Sequence, residues 1–258
     1  MNNARPLIGI CGKKQTGKDT VAKMIAYIIR KGVTQASYNE WAKLFDNEET
    51  KDICIFHFAD KVKDICSDLF GIDRDKFDIE KYKDEMYFDF DRKEFVNPYD
   101  VNNNSKYKYK QIISIDDLKK EDINSYIRKN NNKILFTLRT LMQYVGTEIG
   151  RNKLFDKVWI SYCLNKAEDY RNTYGFAIVA DVRFENEAKA IQENYRGFVI
   201  KLTRNNNMND SHISENGVNI DTDYVIDNTG ITKFTLFYKV REIVKDVLNV
   251  DNINNGRM

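Results

Sequence analysis

The chain has 258 residues, of which 42% are hydrophobic and 31% charged, and its formal net charge is +2. This composition is typical of a soluble globular protein with one core, or one core and an inserted subdomain. The small net charge argues against a broad nucleic-acid-binding surface, and no apolar run approaches the roughly 20 residues of a membrane span. The N-terminus leaves no room for a signal peptide, so we expect a cytoplasmic protein without a membrane partner.

The first strand is predicted at residues 7–11, and a glycine-rich turn follows it directly. Residues 12–20 read Gly-Lys-Lys-Gln-Thr-Gly-Lys-Asp-Thr, which has the glycine, four residues, glycine, lysine spacing of a phosphate-binding P-loop. Glycines let such a loop adopt positive φ, and backbone N–H groups at the start of the next helix surround the anion. The alternative is a glycine-rich turn without a ligand. The predicted phosphate-binding residues are Gly12, Lys14, Thr16, Gly17, Lys18, Asp19 and Thr20.

Asp19 departs from the usual P-loop pattern, in which the residue after the lysine is Ser or Thr and binds Mg²⁺ through its hydroxyl. A carboxylate is also a hard oxygen ligand. The sequence therefore predicts Mg²⁺ at Asp19, held either directly or through water, while Lys18 supplies a positive charge to the terminal phosphates.

Further along, a helix is predicted to about residue 31, a buried strand at 53–58 and a second helix at 59–70, ended by Gly71. Four residues of the second helix are predicted to face inward: Val62, Ile65, Cys66 and Leu69. We interpret His57 as structural, and we expect no metal site built from His57 and His212. The four cysteines are predicted to be small buried residues of a reduced protein: Cys11, Cys54, Cys66 and Cys163.

The hydrophobic pattern that indicates strands and helices weakens between about residues 73 and 132, where charged and aromatic residues alternate and asparagines cluster. We interpret 1–258 as a single domain with a partly helical, mobile insertion at about 73–132 that lacks a core of its own. The role of its asparagine-rich part, 102–132, stays open. Amphipathic helices are predicted next, at 136–145, ended by Gly146, and at 158–170.

The remaining pattern alternates strands with helices. The predicted strands are 176–180, 197–202 and 223–228, and the predicted helices are 185–194 and 231–248, with a frayed tail from 249. This alternation predicts an α/β fold of three layers, in which helices flank a parallel sheet of about five strands.

Ligands of such sheets bind at the carboxyl ends of the strands. The order of the elements places three polar pairs there with the P-loop: Asp60 with Lys63, Asp181 with Arg183, and Thr203 with Arg204. Phosphoryl transfer mainly needs positioning and charge neutralisation, which cations and carboxylates supply. Asp181 also follows an apolar strand, as a Walker B aspartate does. Alone, Asp181 would be equally well explained as a solvated strand end.

The chain resembles the phage-type deoxynucleoside monophosphate kinases of the P-loop nucleotide kinase superfamily. The resemblance begins with the P-loop ending Gly-Lys-Asp-Thr at 17–20 and continues in 58–63 and 89–92. Its most distinctive part is 138–148, Leu-Arg-Thr-Leu-Met-Gln-Tyr-Val-Gly-Thr-Glu, and it includes 181–187 and 211–215.

The resemblance implies transfer of the γ-phosphate of ATP to a deoxynucleoside 5′-monophosphate, with Mg²⁺ required. Lys18, Asp181 and Arg183 would be catalytic, and Arg204 would bind ATP, as part of a lid that includes 205–210. The residues implied at the monophosphate site are Lys14, Lys63, Arg92, Arg139, Gln143, Gly146, Thr147, Trp159, Asp181, Arg183 and Glu187. Without the resemblance, Arg139 and Gln143 fit an exposed helix face and Trp159 fits a core aromatic.

Two other functions remain open at this stage. One is a P-loop kinase with another small acceptor, such as dephospho-coenzyme A or phosphomevalonate, and the other is a nucleotide-binding module without transferase activity. The expected partners are small-molecule nucleotides, with no direct nucleic-acid contact and a homodimer as one option. A phage-encoded protein would work in the host cytoplasm. The sequence leaves open which bases are accepted and whether ribonucleotides are excluded.

Overall fold

A computed structural model describes residues 6–45, 54–195, 197–205 and 220–255. The chain divides into two compact units. The parallel-sheet unit comprises Met1–Phe58 and Ile160–Met258, and the mixed-sheet unit comprises Ala59–Trp159. Among the helices of the described residues, none is long and apolar enough to cross a membrane.

Nine strands lie within the described ranges: β1 (Leu7–Gly12), β2 (Ile55–Phe56), β3 (Tyr87–Asp89), β4 (Glu94–Val96), β5 (Gln111–Ile112), β6 (Ile134–Phe136), β7 (Ala177–Val182), β8 (Phe198–Thr203) and β9 (Tyr224–Asp227). The α-helices of the same ranges are α1 (Lys18–Lys31), α2 (Tyr38–Phe45), α3 (Asp60–Phe70), α4 (Pro98–Asn103), α5 (Ile115–Lys120), α6 (Ile123–Lys129), α7 (Leu138–Gln143), α8 (Val158–Tyr174), α9 (Glu185–Lys189) and α10 (Lys233–Asn255). Wider π-helical turns cover Lys81–Glu85, Tyr144–Leu154 and Ala190–Asn194, and 3₁₀ turns cover Arg74–Phe77 and Ser105–Tyr107.

The parallel-sheet unit contains a five-stranded sheet in the order β2-β7-β1-β8-β9. Its four pairings are all parallel, and every residue of β7 is buried, as expected of a strand covered on both faces. Alternate residues of β1 serve different clusters: Ile8 and Ile10 pack with residues of α1 and α10, and Leu7 packs with residues of α8. The predicted three-layer α/β fold is confirmed.

The mixed-sheet unit contains a four-stranded sheet in the order β4-β3-β6-β5. The strand β3 pairs antiparallel with β4 and with β6, and β5 pairs parallel with β6. A hydrophobic cluster includes Phe77, Phe88, Phe136, Leu141 and Trp159. Residues 73–132 contribute aromatic side chains to this cluster and share it with α3 and α7 of the same unit. The expectation that this stretch lacks a core of its own stays a prediction. The single-domain interpretation of 1–258 stays a prediction.

Several predicted boundaries need correction. Leu69 was predicted to face inward but its side chain is 72% exposed, since Phe70 contacts Phe90 and Phe136 at that end of α3. Gly146 does not end its helix, because the chain continues as the π-helix Tyr144–Leu154. One glycine costs a helix only about 1 kcal/mol, which neighbouring packing can offset.

The strand predicted at 53–58 is shorter in the structure. Only Ile55 and Phe56 pair with β7, and residue 53 lies outside the described residues. The last helix, by contrast, extends beyond its predicted end to Asn255. The four cysteines are all buried, as predicted.

Candidate nucleotide site

The glycine-rich loop between β1 and α1 has the backbone that the sequence predicts. Gly12 and Gly17 have φ values of 151° and 97°, and Gln15 between them has a φ of 61°. A Cβ atom on Gly12 would lie 2.6 Å from the Leu202 carbonyl oxygen. Glycine is thus required at position 12 by both conformation and space.

Lys18 is the first residue of α1, and its side chain turns back over the loop. Its ammonium donates to the carbonyl oxygens of Gly12 and Lys13, at 2.9 Å and 3.0 Å. The Thr16 side chain is 1% exposed, and its hydroxyl also donates to the Lys13 carbonyl oxygen, at 2.9 Å. Lys18 is therefore held at the loop, where a phosphate group would be a stronger, charged acceptor.

Asn228 braces the loop from the far end of the chain and was not predicted. Its Nδ2 donates to the Thr16 carbonyl oxygen, at 2.9 Å, and the two residues are 212 positions apart in the sequence. No local signal identifies such a contact, since Asn228 also fits the ordinary asparagine of a strand-ending turn.

Asp19 lies in the first turn of α1 with its side chain 83% exposed, and its Oδ1 is 3.7 Å from Nε2 of His57. Hydrogen bonding to His57 is the largest cause that holds the pKa of the Asp19 carboxyl below its ordinary value. The carboxylate is therefore ionised at neutral pH, as a Mg²⁺ ligand must be. Thr20 follows it, half-buried. Sequence reasoning treated His57 as structural and missed its proximity to Asp19.

The carboxyl ends of three strands meet beside the loop. Cys11 is paired with Val182, and Gly12 is paired with Leu202. These pairings place Asp181 of β7 and the end of β8, which Arg204 follows, next to the start of the P-loop. The predicted convergence is confirmed for these strands, and Arg204 itself is exposed.

Asp181 and Arg183 form an ion pair at this edge. Asp181 is 8% exposed, and Nε of Arg183 donates to its Oδ1 at 2.7 Å. Glu187 is 1% exposed, and its Oε2 accepts the backbone N–H groups of Arg183 and Phe184, at 2.8 Å and 3.1 Å. Glu187 thus fixes the backbone that carries Arg183, and its predicted contact with the monophosphate stays a prediction.

In the mixed-sheet unit, each predicted acceptor cation has a carboxylate partner. Lys63 Nζ lies 2.7 Å from Asp78 Oδ1, and Arg92 Nη1 lies 3.7 Å from Glu94 Oε1. Arg139 forms a bidentate ion pair with Asp84, in which Nη2 donates to Oδ2 at 2.9 Å and Nε donates to Oδ1. These carboxylates orient the cations and were not predicted.

The other predicted acceptor residues surround the π-helix Tyr144–Leu154. Thr147 is exposed and Gln143 half-buried. Trp159 is 6% exposed, and its indole N–H donates to the Gly146 carbonyl oxygen at 2.7 Å. A Cβ on Gly150 would lie 2.4 Å from the Trp159 ring. This is the packing of a core aromatic, and stacking of Trp159 on a base stays a prediction. The predicted loop residues from 206 and the signature 211–215 lie outside the described residues.

A P-loop with its lysine joins the carboxyl end of β1, the central strand of a five-stranded parallel sheet, to a helix. This arrangement defines a nucleotide-binding protein with a P-loop kinase fold. The family within that class follows from sequence. A profile of the deoxynucleotide monophosphate kinase family matches residues 6–240, and the chain belongs to this family.

Two relatives come from bacteriophages. One from Enterobacteria phage T4, named deoxynucleotide monophosphate kinase, is 30% identical over 112 residues, which are 43% of this chain and 46% of that protein. Another from Escherichia phage T5, named deoxynucleoside-5′-monophosphate kinase, is 23% identical over 220 residues, with 72% of each chain covered. The aligned region spans about half the length of the T4 protein and 72% of the T5 protein.

Proposed function

We propose that the protein transfers the γ-phosphate of ATP to a deoxynucleoside 5′-monophosphate and releases the diphosphate for DNA synthesis. The observation that carries this proposal is the P-loop geometry of Gly12 to Lys18 in a chain whose family match covers residues 6–240. The names of the T4 and T5 relatives, which are both deoxynucleotide monophosphate kinases by name, support it.

The donor phosphates would bind to the N–H groups of the loop and of the first turn of α1, where the helix dipole favours an anion. The Lys18 ammonium would leave the carbonyls of Gly12 and Lys13, which it contacts at 2.9 Å and 3.0 Å, for the phosphate oxygens. This exchange replaces neutral acceptors by charged ones, so the interaction strengthens as charge develops on the transferring group.

The residues present fit a magnesium ion. The Asp19 carboxylate is exposed at the loop, and its pKa is lowered. Oxygen ligands of this kind suit Mg²⁺, which usually keeps several waters beside one or two carboxylates and the phosphates. When bound, Mg²⁺ would neutralise charge on the donor phosphates.

Arg183 would stabilise charge on the phosphoryl group during transfer, with its guanidinium oriented by Asp181. The 2.7 Å contact to a largely buried carboxylate fixes the direction of Nε, and a planar guanidinium matches the geometry of phosphate oxygens. On the acceptor side, we propose that Arg92 and Arg139 bind the monophosphate, since guanidinium forks suit a phosphate dianion.

The test measures diphosphate formation from ATP and Mg²⁺ with a panel of deoxy- and ribonucleoside monophosphates. Lys18→Ala should lower transfer at least about a hundredfold, because the charge at the terminal phosphates is lost. Lys245→Ala is the matched control, because Lys245 is 57% exposed on α10 and pairs with Glu242. Absence of transfer to every monophosphate by a parent chain that binds ATP would refute the proposal.

A further inference from the structure

The turn that follows β9 contacts the P-loop and the end of β8 together. The Asn228 side chain donates to the Thr16 carbonyl oxygen at 2.9 Å, and its backbone N–H donates to the Thr203 carbonyl oxygen at 2.8 Å. The neighbouring Thr229 accepts the Asn205 N–H on its hydroxyl, at 3.0 Å. This turn therefore fixes the loop relative to the strand end that precedes Arg204.

The contact with Thr16 bears directly on anion binding. In a trans peptide the C=O and N–H groups point in opposite directions. When Asn228 holds the Thr16 carbonyl, the N–H of Gly17 is directed away from Asn228. Gly17 has a φ of 97° and precedes Lys18, the first residue of α1, so this N–H belongs to the set that a P-loop presents to phosphate.

The fit between Asn228 and Gly17 is close. A Cβ on Gly17 would lie 3.2 Å from Asn228 Nδ2, which is tighter than an ordinary contact. Glycine at position 17 thus permits the positive φ and also leaves room for the side-chain amide of Asn228. Asn228 is half-buried, so water competes only partly for the Thr16 carbonyl.

We propose that Asn228 is a positioning residue of the donor site, whose amide sets the Thr16–Gly17 peptide in the orientation that binds the phosphates of a nucleoside triphosphate. The proposal rests on the proposed function only for the identity of the nucleotide. It concerns affinity for the phosphate chain, which is measurable without an acceptor.

The experiment compares the parent chain with Asn228→Ala and with the nearly isosteric Asn228→Asp, which replaces the donor by an oxygen facing the Thr16 carbonyl. Calorimetry measures the affinity for ATP and for inorganic tripolyphosphate, without acceptor. We expect both affinities to fall about tenfold in Asn228→Ala, and further in Asn228→Asp, as loss of one well-placed hydrogen bond implies. The KM for the monophosphate should change less than about twofold, since only the donor side is altered.

Asn130→Ala is the matched control, because Asn130 Nδ2 donates to the Tyr126 carbonyl oxygen at 3.0 Å, in the mixed-sheet unit. It removes the same kind of bond and should leave both affinities unchanged. Folded Asn228 variants with parental affinity for ATP and tripolyphosphate would overturn the proposal, whatever their melting temperature. If the parent binds ATP but transfers no phosphate, the proposed function fails while these affinities still decide the role of Asn228.

Discussion

The two units hold their predicted anion-binding groups in different ways. In the parallel-sheet unit, the predicted phosphate contacts are backbone N–H groups of the P-loop, whose conformation includes φ values of 151° at Gly12, 61° at Gln15 and 97° at Gly17. In the mixed-sheet unit, three of the predicted acceptor contacts are long cationic side chains, and each of these lies beside a carboxylate: Lys63, Arg92 and Arg139. The first arrangement depends on backbone geometry, and the second depends on charge pairs.

This difference implies two kinds of sensitivity. The P-loop backbone cannot adjust by changing a side-chain rotamer, so one methyl group added at a glycine such as Gly12 disrupts the loop entirely. A cation held by a carboxylate keeps its charge when the partner is changed and loses mainly its orientation. We therefore expect all-or-none effects at the loop and graded effects in the mixed-sheet unit.

The largest effect is expected from Gly12→Ala. The new Cβ would meet the Leu202 carbonyl oxygen at 2.6 Å, at a backbone φ of 151°, so transfer should fall at least about a thousandfold in an initial-rate assay. Gly175→Ala is the control, because Gly175 also has a positive φ, 93°, but nothing within 4 Å of its Cβ position. It should cost about 1 to 2 kcal/mol of stability and leave the rate intact. Comparable rates in both variants would contradict the all-or-none expectation.

The next effect concerns the turn that carries Arg92. Asp89 is fully buried, and it accepts the ammonium of Lys110 at 2.6 Å and the backbone N–H of Arg92 at 3.2 Å. Lys110→Met leaves the carboxylate buried without its cation, which should cost about 3 to 5 kcal/mol in urea denaturation.

The exposed pair of Lys119 and Asp116, 3.1 Å apart, provides the comparison for Lys110. Lys119→Met should cost at most about 0.5 kcal/mol, because solvent screens that pair. Equal costs for the two variants would show that burial does not set the strength of the Asp89 contact.

A smaller, graded effect is expected from Asp84→Asn. The amide keeps the shape of the carboxylate but weakens the bidentate contact that orients Arg139. The KM for the monophosphate should rise about threefold to tenfold, with the KM for ATP unchanged, since the change concerns orientation of one cation. A lower KM would mean instead that Asp84 competes with the acceptor phosphate. Asp116→Asn serves as control, because the Asp116 side chain is exposed on α5.

The smallest expected effect is on the pH dependence of stability, and it arises from one buried thiol in each unit. Burial is the main cause that raises the pKa of Cys11 in β1 to about 11 and that of Cys66 in α3 to about 12, from 9.0. Above pH 9 the unfolded thiols lose protons that the folded ones retain, so stability is lost as pH rises from 9 through the folded pKa values. The fall in melting temperature between pH 8 and pH 10.5 should be a few degrees smaller in Cys11→Ala and in Cys66→Ala than in the parent. An unchanged pH slope in either variant would contradict the raised pKa of that thiol.

Local patterns predict the parallel-sheet unit well. The apolar run of β1, the glycine spacing after it and Asp181 at the end of β7 are all signals within a few residues, and the sheet pairings confirm the layout. The P-loop conformation follows from the same spacing.

Contacts between distant residues were not predictable in this way. Asn228 meets Thr16 across 212 positions, and Asp84 meets Arg139 across 55. The strand β6 has three residues, too few for a period to show. The π-helix Tyr144–Leu154 departs from the 3.6-residue repeat on which helix prediction depends.

The strand order has a consequence for synthesis. The strand β1 leaves the ribosome first, yet its neighbours β7 and β8 begin at Ala177 and Phe198. At about 5 to 20 residues per second, β1 waits roughly ten to thirty seconds for its first partner. During that interval its apolar residues lack the sheet that buries them, and the loop lacks Asn228. A chain released before β9 is made would therefore carry the whole P-loop motif without the turn that braces it.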